Sequence, residues 1–434
     1  MSTQDVSRVP LCEGVNFTDI KTDKFKFCRV TVNFILPLRA DTAAVNALLP
    51  SVLRRGCAQY PDMTSMNRRL KELYGASLDT SVSKTGGMQV LTLSCEVLGD
   101  SFALSRESLV RSASGLLKSV IFDPVLENGA FRAEDVAVER QNLADLIDSR
   151  LNDKRCYASQ RMKELMCSGE PYGLCELGTR EQALAVTPAE LYRAWVNILT
   201  SSRAEVFFAG SSGADECRGL FASAFGAVIR RPCAALPAAE LKTASGARSF
   251  TDRLSVAQAK LGLGFRSGTA HPSADVPAMQ LACAVFGGTP RSLLFKNVRE
   301  RLSLCYYCYS YYEPFAGLVF VESGVEEANA EKAKDEILRQ LDDLRSGRIS
   351  SDDLSEAVLL LTNIYRGLDD SLGGISGWYL GQSLLGRMKT PGEAAAKIAA
   401  VSIGEVASQA GRLSLDTVYL LAGDKSPGGG KELD

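Results

Sequence analysis

Histidine is almost missing from this chain: its 434 residues contain one, His271. Zinc peptidase motifs of the H-E-x-x-H or H-x-x-E-H kind need two imidazoles one helical turn apart, so that both nitrogens reach one metal. A single histidine excludes them. A Ser-His-Asp or Cys-His arrangement would have to use His271, which sits in Ser-Gly-Thr-Ala-His-Pro-Ser-Ala-Asp, a loop context with Pro272 directly after it. No G-x-S-x-G elbow accompanies it. The nearest matches, Gly210-Ser-Ser-Gly213 and Gly374-Ile-Ser-Gly377, lack the spacing. His271 is therefore read as a surface loop residue, and no catalytic or metal-ligating residue is assigned.

Charge of one sign is also lacking. Lys+Arg is 49 against Asp+Glu 51, a formal net charge of −2, so no basic field draws in nucleic acid or anionic lipid. Arg54-Arg55 and Arg230-Arg231 are too short to alter this. No stretch of about 18 apolar residues runs uninterrupted, so no membrane span is expected. The start, Met1-Ser-Thr-Gln-Asp-Val-Ser-Arg8, has no apolar stretch of signal-peptide length, and a cytoplasmic protein is expected. Nucleotide-cofactor signatures are missing as well. Gly262-Leu-Gly264-Phe-Arg-Ser-Gly268 has the wrong spacing for a dinucleotide fingerprint and lies in a strand-like run, and no Walker-type loop occurs. The paired carboxylates Asp352-Asp353 and Asp369-Asp370 sit in helix-start or turn contexts and read as caps or solvated faces. No cofactor is expected.

Cysteine is present, 12 residues scattered through apolar stretches, which suits small buried hydrophobes better than a disulfide framework. One pair, Cys305-Tyr-Tyr-Cys308, has C-x-x-C spacing. Its surroundings read as a strand, where positions i and i+3 face opposite sides, and no second C-x-x-C completes a zinc site. The pair is expected to be structural.

The strongest positive signal is repetition. A strand near residue 28 alternates Val30, Val32, Phe34 and Leu36 against Thr31, Asn33 and Ile35. A helix over Thr42–Arg55 follows, ending at Gly56, then one from Thr64 to Tyr74, ending at Gly75. Strands around Leu78–Ser83 and Gln89–Val97 come next. Long helices fill about 101–163, a capping box Thr187-Pro-Ala-Glu190 opens another, and the strand Glu205–Gly210 closes the half. The same order returns after residue 250. It runs through a strand Ala259–Phe265, helices Val276–Phe286 and Ser292–Leu302, strands Leu304–Tyr311 and Leu318–Glu322, helices Asn329–Arg345 and Ser351–Leu368, the box Ser402-Ile-Gly-Glu405 and the strand Val418–Gly423. The endings Val206-Phe-Phe-Ala-Gly210 and Tyr419-Leu-Leu-Ala-Gly423 match. This predicts an α+β chain of two homologous halves, 1–228 and 248–425, joined by a Pro/Ala-rich linker 229–247 and followed by a flexible tail 426–434. Each half is expected to be an antiparallel sheet with helices on one face, the two facing each other across a cleft.

Gly287-Gly-Thr-Pro-Arg-Ser292-Leu-Leu-Phe295-Lys-Asn-Val-Arg299-Glu300-Arg-Leu-Ser-Leu-Cys-Tyr306 resembles the second-half signature of the insulinase/pitrilysin superfamily of zinc peptidases, which includes the mitochondrial processing peptidases. The duplicated build agrees over essentially the whole chain, and Leu73-Tyr74-Gly75-Ala76 agrees in the first half. The resemblance implies a metalloprotease LuxS/processing-peptidase-like fold. Among the short bacterial members, the chain is similar to non-catalytic homologues associated with modification of translation elongation factor P. The family carries H-x-x-E-H on the first helix, where this chain has Ala47-Leu48-Leu49-Pro50-Ser51. A distal Glu ligand is expected within Arg140–Ile147, where the one acid is Asp145. Ligand-free, the chain is expected to be a peptidase homologue that is not an enzyme by itself.

The second-half feature is kept. The resemblance implies that Arg299 and Tyr306, seven residues apart, bind substrate near the metal of an opposing half. From the residues alone, Arg299 reads as a helix-end cation and Tyr306 as a strand packing residue. Two functional expectations follow. In one, this chain is the metal-free substrate-positioning subunit of a heterodimer, whose homologous partner carries H-x-x-E-H and zinc and whose substrate is a peptide. In the other, it is a non-proteolytic peptide- or protein-binding scaffold, linked to translation factor modification.

Overall fold

The computed structural model describes residues 5–105 and 107–424. The expected tail, 426–434, lies outside them. The chain forms two compact units. The first comprises Met1–Ser149, Gly169–Ala238 and Tyr365–Ala394, and the second Arg150–Ser168, Ala239–Ile364 and Ala395–Asp434. Between them in sequence, 229–247 carries no helix or strand.

The first unit holds β1 (Asp5–Cys12), β2 (Val15–Lys21), β3 (Phe27–Pro37), β4 (Ser77–Thr85), β5 (Met88–Leu98), a small hairpin β6 (Leu126–Glu127) and β7 (Ala130–Phe131), and β8 (Arg203–Gly210). Its main sheet runs β1-β2-β8-β3-β5-β4. The second unit holds β9 (Arg248–Leu254), β10 (Ala259–Arg266), β11 (Cys305–Glu313), β12 (Leu318–Val325) and β13 (Ser414–Gly423), in the order β11-β12-β10-β13-β9. Apart from β1, the two sheets have one topology. In each, the first strand pairs with the fifth, the fifth with the second, the second with the fourth, and the fourth with the third. The duplication read from the sequence is thus a duplication of strand order.

Neither sheet is purely antiparallel. β2 runs parallel to β8, and β13 parallel to β9. The first strand of each sheet was not anticipated. β1 and β2 precede the first expected strand, and Pro10 inside β1 is compatible with an edge position, where a missing N–H costs no ladder bond.

Helices cover both faces of each sheet rather than one. On β3, Val30, Val32, Phe34 and Leu36 join a large core with Leu48, Leu49, Val52 and Leu53 of the helix Ala43–Arg54. The opposite face carries Ile20, Phe207 and Ala209, which pack against Leu372, Ile375 and Tyr379 of the helix Leu372–Leu384. That helix comes from the second sequence half. Reciprocally, the helix Lys154–Met166, from the first sequence half, packs on β10 and β13 of the second unit. The units therefore differ from the two sequence halves by one exchanged segment each way. Burial on both faces is why Val206–Ala209 of β8 and Leu318–Val321 of β12 read as continuous apolar runs and not as alternations.

Glycines make room for the exchanged helix in the second unit. A Cβ on Gly262 of β10 would lie 2.5 Å from Sδ of Met162, and one on Gly264 would lie 2.4 Å from Sδ of Met166. The Gly-x-Gly run is thus a seat for two methionines, each fully buried.

Candidate functional site

The first helix, Ala43–Arg54, carries the segment where the resemblance expects metal ligands. Ala47, Leu48, Leu49 and Pro50 are all buried there. Pro50 has no N–H to donate to the carbonyl one turn back. The polar side chains at this end of the helix are neutral amides. Asn46 Nδ2 donates to Gln89 Oε1 at 3.1 Å, and Gln89 Nε2 donates to the carbonyls of Ala43 at 2.9 Å and Glu176 at 2.6 Å. Amides carry no charge and satisfy one another, so they stabilise the interior without drawing in a cation.

The distal segment lies on the helix Ala133–Asn152. Asp145 is solvent-exposed and accepts from Gln141 at 2.7 Å. Arg140 turns to the main chain, donating to the carbonyls of Leu184 and Val186 at 3.2 and 3.1 Å. Near the end of the first helix, Arg55 pairs with Asp135 at 2.6 Å and with Glu139 at 2.8 Å, so both acids are already committed to a cation. Among the described residues no group of three or more His, Cys, Asp or Glu side chains could hold a metal ion. The family's zinc does not fit the residues present. His271 lies in its loop, half-buried, with its ring edge-on to Phe315 at 5.0 Å.

The second unit places Arg299 and Tyr306 on successive elements. The expected helix over Ser292–Leu302 is π-helical across Phe295–Arg301, with Arg299 in its last turn. Wide turns of this kind are frequent at functional sites. The chain leaves through Ser303, which has φ of 50°, a left-handed value that Cβ-bearing residues seldom adopt. Arg299 stacks on the Phe295 ring at 4.6 Å, stands 3.7 Å from Glu300, and keeps 42% of its side chain exposed.

Tyr306 is the more unusual of the two. Cys305 pairs with Val325 and Tyr307 with Gly324, so Tyr306 is an extra residue with no cross-strand partner. Such a β-bulge turns a side chain away from the direction the strand alternation would give it. Tyr306 is 63% exposed, and among the described residues its hydroxyl has no hydrogen bond.

The same bulge corrects the expectation for the C-x-x-C pair. Without it, Cys305 and Cys308 would face opposite sides. With it, they lie opposite Val325 and Ser323, two residues apart on β12 and therefore on one face. Sequence gave no sign of the bulge, since no glycine or proline marks it.

Further along β11, alternate tyrosines point at the exchanged helix Lys154–Met166. Tyr311 donates to Glu322 Oε1 at 2.8 Å, Tyr309 donates to the other oxygen of Glu322, and Ser159 donates to Glu322 Oε1 at 2.6 Å. The guanidinium of Arg155 lies over the rings of Tyr307 and Tyr309 at 4.6 and 4.9 Å. Burial and the Glu322 carboxylate push the Tyr309 hydroxyl well above its ordinary value. This cluster is fully satisfied, and it anchors the strand that carries Tyr306.

A family model described as the peptidase M16 inactive domain matches residues 185–361. Among curated proteins the chain is similar to the probable inactive metalloprotease YmfF of Bacillus subtilis (strain 168), 29% identical over 411 residues, which are 94% of this chain and 96% of that one. Among solved structures it matches a conserved protein from Enterococcus faecalis V583 with a TM-score of 0.91 and 29% identity, covering 98% of this chain and 100% of that chain. A protease from Helicobacter pylori matches with a TM-score of 0.82 and 14% identity over 96% of this chain and 99% of the other, a likeness of fold.

Proposed function

We propose that this chain, a catalytically inactive homologue similar to the peptidase M16 inactive domain, acts as the metal-free, substrate-positioning subunit of a heterodimeric zinc peptidase. The observation that carries this reading is an asymmetry. The metal locus is filled by Ala47, Leu48, Leu49 and Pro50, whereas Arg299 and Tyr306 stay exposed, Tyr306 on a bulge that packing does not require. A homologous partner would supply H-x-x-E-H, the zinc and the activated water. This chain would supply two donors for the peptide. The planar guanidinium of Arg299 offers several N–H groups to a peptide carbonyl. The unpaired hydroxyl of Tyr306 can donate to the oxyanion that develops as water adds to that carbonyl. Both sit in the second unit, within a short run of chain whose backbone is fixed by the π-helical turn, Ser303 and the bulge.

Purification of the chain from its native cell extract, with mass spectrometry and metal analysis, tests the pairing. The expected result is a stoichiometric homologue with an intact H-x-x-E-H and about one zinc per pair. Arg299→Ala and Tyr306→Phe should then abolish or sharply lower peptidase activity of the reconstituted pair, while folding is unchanged because both side chains are exposed. A chain recovered without any such homologue would overturn the pairing and leave the scaffold reading, in which a translation-linked partner is sought instead.

A further inference from the structure

Cys305 and Cys308 stand on one face of an edge strand because Tyr306 bulges out between them. Their cross-strand partners, Val325 and Ser323, are two residues apart, about 6.6 Å along a strand. That spacing lies at the upper end of the Cα separations a disulfide spans, about 4.4–6.8 Å. Each thiol is close enough to the other to shift its acidity. Both are free, and they are 8% and 5% exposed.

Their surroundings differ in a way that assigns roles. The neighbouring Cys308 thiol, the Ser323 hydroxyl and the charge of Arg299 together hold the Cys305 thiol below its ordinary value, against the opposing effect of burial. The Cys305 thiol and deeper burial push Cys308 up. Access favours Cys305 as well. It is the first residue of the strand, two residues past the left-handed Ser303, with exposed Tyr306 directly after it.

We propose that Cys305 and Cys308 form a redox-modification site, a dithiol that closes to a reversible disulfide by exchange with a low-molecular-weight disulfide. The Cys305 thiolate attacks one sulfur of the small disulfide, forming a mixed disulfide and releasing one small thiolate. Cys308 gives up its proton to that thiolate, and its sulfur attacks Cys305 Sγ, releasing the second small thiolate, which takes a proton from water. Two protein thiols are oxidised and one small disulfide is reduced to two thiols. The assignment stands independently of the peptide-positioning role.

The test equilibrates the full chain in graded mixtures of reduced and oxidised glutathione, quenches with acid, denatures, alkylates and maps the cysteines by mass spectrometry. The expected result is loss of both alkyl marks at Cys305 and Cys308, with a disulfide between them, while Cys95, Cys217 and Cys283 stay alkylatable. Exposed Cys156 serves as the positive control for adduct formation. In Cys308→Ser, glutathione should be trapped on Cys305, whereas Cys305→Ser should leave Cys308 unmodified. Full alkylation of both residues in the unsubstituted chain at every ratio, with Cys156 reacting, would overturn the proposal. Equal trapping in the two variants would overturn the assignment of Cys305 as the attacking thiol.

Discussion

Glu205 and Asp416 do the same work in the two units: each is a buried acid near the start of its closing strand, holding arginine that caps the helix contributed by the other sequence half. Glu205, its side chain fully buried, pairs with Arg203 at 2.8 Å and Arg8 at 2.6 Å, and Arg203 donates to the Ser383 carbonyl at 2.6 Å. Asp416 pairs with Arg248 at 2.6 Å and Arg266 at 2.9 Å, and both arginines donate to the Met166 carbonyl, at 2.9 and 3.1 Å. The last carbonyls of a helix have no partner within it, so a cation there satisfies both hydrogen bonding and the helix dipole.

Removing either acid should therefore loosen an exchanged helix. Asp416→Asn leaves Arg266 buried without its counter-charge, and Glu205→Gln strips the part-buried Arg203 and Arg8 of theirs, at a smaller cost. Losing one partner of a buried pair costs about 3–5 kcal/mol. The expected outcome is a shift of that size in denaturant unfolding for Asp416→Asn and a smaller one for Glu205→Gln, with faster amide exchange in Lys154–Met166 for the first variant and in Leu372–Leu384 for the second.

Acid should act through Asp416. Burial pushes its carboxyl up, but hydrogen bonds from Arg248, Arg266 and Thr417 outweigh this and hold it below the ordinary 3.8. A carboxyl depressed in the folded state contributes stability that is present above the unfolded-state value and is lost as pH falls through the folded one. The stability difference between the unsubstituted chain and Asp416→Asn should be constant at neutral pH and shrink below about pH 4. Urea unfolding of both proteins across that range measures it, and a difference that grows on acidification would contradict the sign.

The glycine seat on β10 predicts a packing defect. Gly264→Val places branched carbons where Met166 Sδ lies, 2.4 Å from the position of Cβ. Overpacking of this kind costs about 1–3 kcal/mol. Thermal or denaturant unfolding should show the loss, and Met166→Ala in the same chain should recover part of it.

Restoring the family motif should not restore a metal site. The triple change Ala47→His, Pro50→Glu and Ser51→His puts polar groups into a helix face packed in the core, and Asp145 stays exposed on its own helix. Metal analysis after zinc loading should find no stoichiometric binding, and unfolding should show a destabilised protein. Tight, stoichiometric zinc would show that the locus is more adaptable than its burial implies.

Much of this architecture was legible in the sequence because it is written in local patterns. The two capping boxes, Thr187 with Glu190 and Ser402 with Glu405, form as spaced, and the repeated strand and helix order marks the duplication. What could not be read are relationships between distant segments. Met162 and Met166 match Gly262 and Gly264, yet each pair alone looks like an ordinary helix or strand. The buried inner residues of β8 gave no hint of which helix covers their second face. The β1–β2 hairpin was hidden by Pro10 and by polar residues such as Ser7 and Arg8, which suit an edge. At the site, Arg299 and Tyr306 were legible as a spacing. Their presentation was not, because a bulge and a π-helical turn depend on hydrogen-bond registers that residue identities do not announce.

The exchange of helices also dictates the order in which the chain can finish folding. The first sheet waits for Leu372–Leu384, so it keeps one apolar face uncovered until most of the chain has left the ribosome, while Lys154–Met166 is made long before the sheet it covers. For the same reason the segment 229–247 is not a boundary between separable pieces. A chain severed there yields one fragment missing a helix it needs and carrying one it cannot use, and its counterpart in the same position. The halves can be read one after the other, but they are completed only together.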